Sequence, residues 1–352
     1  MRQRLKLLVQ KLLVRMGYTV RKLSPQEINA FMELQRPDEK SFDDVFGNRS
    51  ERLLELRRRY AAVDSPAAVH SVWAHRQSKA NLVSTGLAGV DLTRFRASSS
   101  YVWNYYGLAD AETERLKYFV FQQSVRANDT NGLLDTLSED GAFGCPTFEF
   151  PSLAPVSRDL LDSVAEINFL QRHLGVLDRV DVRVLDIGAG YGRMAHRLLD
   201  ANPGMTGYTC VDAVPESTFL CEFYLEYRGL AERADVIPLD EVDERLDGPF
   251  DVALNIHSFS ECTYEAVEWW LQRVQKLGIP NLMIVPNPDE RFQNDSDRFI
   301  ASQPDGSKRN YLPLLAELGY EQVARESLVD DTARSVLGVD DVMFLFKLRT
   351  AS

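Results

Sequence analysis

A ten-residue run, Val184-Leu-Asp-Ile-Gly-Ala-Gly-Tyr-Gly-Arg193, constrains the fold more than any other part of this 352-residue chain. Its apolar start reads as a buried strand, and the three glycines that follow permit a tight turn and close approach of backbone to a ligand. A helix expected over Met194–Leu199 completes a strand, turn and helix unit, the opening piece of a parallel sheet. The same alternation repeats from Val180 onward, with strands expected near 182–187, 207–212, 234–238, 250–256, 281–286, 320–326 and 342–348. About 15 residues without a clear helical period separate the last two, which predicts an antiparallel closing pair. The expected fold class is α/β with a Rossmann-like sheet.

Upstream of this domain the pattern differs. Residues 1–127 mix short helical patterns, such as Pro25–Leu34 and Ser50–Ala62, with polar connectors and no strand alternation, and read as a helical extension serving dimerisation or as a lid. Residues 128–179 read as a Gly- and Pro-rich loop followed by a linker helix over Ser157–Leu174, a candidate hinge, and residues 180–352 as the sheet domain. The basic, Leu-rich start MRQRLKLLVQKLLVRMGY lacks the uninterrupted apolar core of a signal peptide or membrane span. A cytoplasmic protein without stable membrane insertion is therefore expected.

The glycine spacing selects among ligands. A dinucleotide site prefers GxGxxG, with a pyrophosphate on the helix N-terminus, whereas this loop is GxGxG with Asp186 two residues before it. A carboxylate there repels phosphate and suits the ammonium group of a cationic amino-acid cofactor, which points to S-adenosylmethionine. Gly188, Gly190 and Tyr191 of the loop are the accompanying cofactor-binding candidates. Asp212 ends the second expected strand, 24 residues after Gly188, where a carboxylate can accept both hydroxyls of a ribose. Asp240, after the third strand, is a candidate for the adenine amino group, or else part of a solvated acidic turn with Glu241, Asp243 and Glu244.

Open parallel sheets place their chemistry at the carboxyl ends of the strands. The fourth strand ends in Asn255-Ile-His-Ser-Phe-Ser-Glu261, and His257 has the pKa range of a general base, with Glu261 to orient it or to hold substrate hydroxyls. The competing structural account makes Ser258 and Glu261 a capping box for the following helix. After the fifth strand, Asn287 and Asp289 are candidates for recognising hydroxyls. Glu261, Asp289 and Glu290 form an alternative divalent-metal set, such as for Mg, which nothing else in the sequence supports.

Composition excludes other classes. A net charge of -12 argues against nucleic acid as a partner, since such binding needs a concentrated basic surface. Cys145, Cys210, Cys221 and Cys262 show no CxxC pair, so neither a disulfide framework nor a zinc cage is indicated.

VLDIGAGYGR, CVDAVPES and above all LNIHSFSE resemble a family of sugar O-methyltransferases found with polysaccharide gene clusters, over roughly Asn128–Asn294. Cys262 departs from the Met expected there in many relatives. The resemblance implies a class I S-adenosylmethionine-dependent methyltransferase, with Asp186, Gly188, Gly190 and Asp212 on the cofactor and His257 with Glu261 facing a carbohydrate acceptor. Within that family the methylmannose-polysaccharide O-methyltransferases are similar, which implies a mannoside acceptor and a homodimer. Natural-product O-methylation and a non-catalytic scaffold are the alternatives.

Overall fold

In the computed structural model, residues 40–69, 91–98, 101, 111–287, 294–303 and 305–349 are described. The amphipathic start of the chain, the Pro25–Leu34 pattern, Asp289 and Glu290 lie outside them. Phe42–Ser352 groups as one compact unit.

Among the described residues nine strands are interspersed with helices: β1 (Arg183–Ile187), β2 (Gly207–Asp212), β3 (Ala234–Pro238), β4 (Val252–Ile256), β5 (Asn281–Val285), β6 (Ile300–Ser302), β7 (Lys308–Asn310), β8 (Tyr320–Ser327) and β9 (Val342–Leu348). The principal helices are α1 (Ser50–Tyr60), α2 (Ala111–Asn128), α3 (Arg158–Leu174), α4 (Arg193–Ala201), α5 (Pro215–Tyr227), α6 (Tyr264–Lys276) and α7 (Asp331–Leu337). Seven strands form one sheet in the order β3-β2-β1-β4-β5-β9-β8, while β6 and β7 make a separate hairpin. The first five run parallel, and β9 is antiparallel to both β5 and β8. This is the Rossmann-like sheet of class I methyltransferases, closed by the expected antiparallel pair. Between that pair the chain makes α7, capped by Asp330, whose Oδ1 accepts from Ala333 N at 2.9 Å. Seven residues are too few for an amphipathic period to stand out.

The sheet is covered on both faces, which is why its strands read as nearly continuous apolar runs. Leu185, Ile187, Val211, Ala253 and Ile284 belong to one core, and Val184, Cys210, Val252, Leu254 and Met283 to the other. Asp186 is the polar exception inside β1 and is 2% exposed. Among the described residues no helix is long and apolar enough to cross a membrane.

The helix expected as a linker or hinge is a core element. In α3 the apolar side and the polar side are both buried, the latter carrying Arg158, Asp159, Asp162, Ser163 and Glu166. Ser157 caps it, its Oγ accepting from Leu160 N at 3.0 Å, and Gly175 ends it at φ 67°. Helix α1 lies along α5 through Arg52 to Glu222 (2.6 Å) and Arg57 to Glu216 (2.8 Å). Arg59 of the same helix reaches the turn after β3. Residues upstream of Val180 therefore pack directly against the sheet's helices.

Candidate active site

The order of the sheet reverses between β1 and β4, and in open parallel sheets a ligand binds outside the carboxyl ends of the strands at such a point. There a cleft is lined by the glycine loop, the ends of β2 and β4, Tyr101 and Asn287.

The glycine loop is shaped by contacts only glycine permits. Gly188, Gly190 and Gly192 have φ of 77°, 59° and 83°. A Cβ on Gly188 would stand 2.0 Å from Ser258 Oγ, so the loop after β1 rests directly on the segment after β4. Asn255 locks the two together, its Nδ2 donating to Ile187 O at 2.8 Å and to Ser258 Oγ at 2.6 Å. Over Gly190 lies the ring of Tyr101, whose hydroxyl is 3.3 Å from Ser217 Oγ.

Asp212 holds the second turn. Its carboxylate accepts from Gly190 N at 2.9 Å and from Val214 N at 2.8 Å, tying the glycine loop to the start of α5. Burial nonetheless pushes its pKa up to about 7, with the charges of Asp186 and Glu261 adding to the rise against those two bonds. Asp186 is likewise pushed up to about 7 by burial, although Tyr208 OH donates to it at 2.8 Å and Arg193 is near. The cleft thus carries two acids short of countercharge, Asp186 buried and Asp212 half-buried. Arg193, which also lines it, is committed to Glu166 at 2.7 and 3.0 Å.

His257 follows β4 in a left-handed conformation, φ 68° and ψ -30°, unusual for a residue with a side chain. Its N–H donates to Val285 O at 2.7 Å, and its ring Nε2 lies 3.1 Å from Asp341 Oδ1. Asp341 is 2% exposed and its other oxygen accepts from Arg158 Nη2 at 2.8 Å. Arg158 also donates to Asp162 at 2.7 Å. Burial alone would lower the His257 pKa, but the hydrogen bond and charge of Asp341 outweigh it and hold the imidazole above its usual value of 6.5.

Several sequence expectations change here. The carboxylate on the His257 ring is Asp341, 84 residues away, in the role given to Glu261; Glu261 lines the cleft and acts on Asp212 by its charge. No capping box forms at Ser258: Ser258–Glu261 is a 3-10 turn, and Thr263 caps α6, its Oγ1 accepting from Ala266 N at 3.2 Å. Asp240 is not among the residues lining the cleft; its carboxylate accepts from Arg59 Nε at 2.7 Å. Tyr191 forms part of the cleft wall, yet its hydroxyl donates to Asp159 in a buried cluster behind the loop. Asn287 lines the cleft, and its N–H donates to Ser260 Oγ at 3.0 Å. Among the described residues no three His, Cys, Asp or Glu side chains are grouped to hold a metal.

No motif local to His257 marks Asp341, but topology carries a signal for it. A strand antiparallel to β5 must begin where β5 ends, so the residue before β9 lies at the edge that holds the cleft.

No known protein family and no curated protein matches the sequence. Solved structures with a similar chain path include the [4+2]-cyclase SpnF, at 15% identity and TM-score 0.39, covering 66% of this chain and 97% of that one. The magnesium protoporphyrin IX methyltransferase ChlM from Synechocystis PCC 6803, with bound SAH, is similar at 12% identity and TM-score 0.38, covering 54% and 82%. The glycopeptide N-methyltransferase MtfA, complexed with sinefungin, is similar at 15% identity and TM-score 0.40, covering 53% and 94%. At such distances the chemistry of the site must be read from its own residues.

Proposed function

We propose that this protein is an S-adenosylmethionine-dependent O-methyltransferase whose acceptor is a sugar hydroxyl. The observation that carries the cofactor assignment is a pair of acids, the buried Asp186 and the half-buried Asp212, flanking a glycine loop in one cleft. A phosphate-bearing cofactor would meet unpaired carboxylates there, whereas a ligand with an ammonium group, a sulfonium and two ribose hydroxyls supplies the cations and donors they lack. Asp186 would serve the ammonium end, directly or through water, and Asp212 the ribose, its two backbone bonds having fixed the carboxylate in place. When bound, S-adenosylmethionine supplies an electrophilic methyl group. An alcohol must shed its proton as it attacks, and His257 at the end of β4 is the group placed to take it.

The polar part of the cleft, His257, Glu261 and Asn287, favours a hydroxyl-rich acceptor over a flat apolar one. We take that acceptor to be a mannoside or oligosaccharide of polysaccharide biosynthesis, and the working form to be a cytoplasmic homodimer. Natural-product acceptors make the competing screen.

Calorimetric titration with S-adenosylhomocysteine tests the assignment first. Micromolar-range binding is expected in the wild type and loss of at least about tenfold in Asp212→Ala, since a ribose held by charge-assisted bonds contributes on the order of 1.5–3 kcal/mol. No binding to the wild type would leave the scaffold alternative.

The two raised pKa values give a pH dependence of defined sign. Near pH 6.5 Asp186 and Asp212 are partly protonated, and a bound cation favours their charged forms. Binding of S-adenosylmethionine should therefore release protons, tighten as pH rises through about 7 and level off above it. Titration in buffers of different ionisation enthalpy measures the release; proton uptake, or no change with buffer, would contradict it.

A further inference from the structure

Behind His257 a chain of buried charges runs away from the cleft. His257 meets Asp341, Asp341 meets Arg158, and Arg158 meets Asp162, at 3.1, 2.8 and 2.7 Å. Arg158, Asp162 and Asp341 are each no more than 4% exposed, while the His257 side chain keeps 23% of its surface open. Three buried groups are thus spent on one partly open imidazole. They come from α3 and from the residue before β9, two elements far apart in sequence, and a surface turn has no need of them. The backbone of His257 is also held at positive φ, a conformation unfavourable for a residue with a side chain that survives only where its surroundings impose it. Such strain concentrates at functional sites.

We infer that Asp341, braced by Arg158, is a positioning residue: it binds His257 through Nε2, fixes the tautomer with the proton on that nitrogen, and leaves Nδ1 as the ring atom that accepts a proton. An ionised carboxylate only accepts hydrogen bonds, so a neutral imidazole facing it must donate from Nε2. Among the described residues no hydrogen bond engages Nδ1. Arg158, whose Nε donates to both oxygens of Asp162 and whose Nη2 donates to Asp341, keeps the Asp341 carboxylate ionised and still. The charges that face His257 are Asp341, from the segment before β9, and Asp162 and Glu166, from α3; all three favour the protonated ring, with burial opposing them.

The inference rests on the methyltransferase reading only for its effect on turnover. Its test is two-bond 15N–1H correlation spectroscopy of the full chain labelled at histidine, followed over pH, with the His257 signal assigned by its loss in His257→Asn. The chain has five histidines, few enough for assignment by single substitutions. Above the titration midpoint His257 should show a protonated Nε2 and a bare Nδ1. In Asp341→Asn, whose side chain can offer an N–H instead of a charge, the tautomer preference should be lost or reversed and the titration midpoint should fall. If turnover is measurable, kcat should drop about 10- to 100-fold with its acid limb moving to lower pH, while affinity for S-adenosylhomocysteine changes less than twofold. A neutral ring carrying its proton on Nδ1 in the wild type would overturn the inference, as would an Asp341→Asn protein with unchanged tautomer and midpoint. Should that variant not fold, the wild-type tautomer alone decides. Failure of the methyltransferase reading shows separately, as absence of cofactor binding with the histidine spectrum intact.

Discussion

Asp159→Ala is expected to lower the stability of the folded chain by about 3–5 kcal/mol, because it removes the shared anion of a buried cluster and leaves cations behind. Asp159 accepts from Arg197 at 2.8 and 3.0 Å, from Arg96 Nε at 3.2 Å and from the hydroxyl of Tyr191. Arg96 and Arg197 are each 1% exposed and would be left with Glu139, which already accepts from both at 2.8 Å and from Ser157 at 2.6 Å, and with the partly exposed Asp140, 3.5 Å from Arg96 Nη1. One buried carboxylate between two buried guanidiniums leaves a net positive charge in the core, where its solvation is poor. The two arginines hold the Asp159 carboxyl well below the usual carboxylate range against the opposing effect of burial, the sign expected if the cluster depends on this anion. Urea denaturation followed by circular dichroism measures the loss. A change below about 1 kcal/mol would mean that water or Glu139 replaces the anion and that the cluster matters little for stability. Asp159 also anchors Tyr191 of the glycine loop, so a folded variant should bind S-adenosylhomocysteine less tightly than wild type.

His257→Ala should leave affinity for S-adenosylhomocysteine within a factor of about three, since Asp186 and Asp212 are untouched, while methyl transfer to a responsive mannoside falls on the order of a hundredfold or more. A hundredfold corresponds to about 2.7 kcal/mol of barrier. Alanine keeps the unfavourable positive φ at this position, so His257→Asn is the useful companion, because Asn tolerates that region. Both variants should lose turnover alike if the base is what matters. If transfer from labelled S-adenosylmethionine proceeds unchanged in either, the base lies elsewhere, and Glu261, which lines the same cleft, becomes the residue to replace next.

Local chemistry made much of this protein readable from its sequence. Strands β1 to β5 announce themselves as apolar runs because parallel strands are covered on both faces. The loop after β1 is legible because glycine accepts its φ of 59–83° without strain and leaves no Cβ to collide with Ser258. Asp186 and Asp212 follow from that loop, since their places are set by β1 and β2, adjacent strands with Asp186 paired in register to Cys210. What the tertiary structure decided are the partners of charges. Nothing local to Asp240 foretells Arg59, 181 residues earlier, and nothing local to His257 foretells Asp341. Helix α3 is the clearest case. Its Arg158, Asp159, Asp162 and Glu166 have the spacing of an ordinary solvated face, and they become core because α2, Arg96 and the segment around Glu139 close over them. A polar side chain carries no mark of whether water or another charge will satisfy it, since both satisfy its hydrogen bonds. Only the approach of distant segments settles that choice, and in this chain it set both the buried cluster behind the glycine loop and the carboxylate that holds His257.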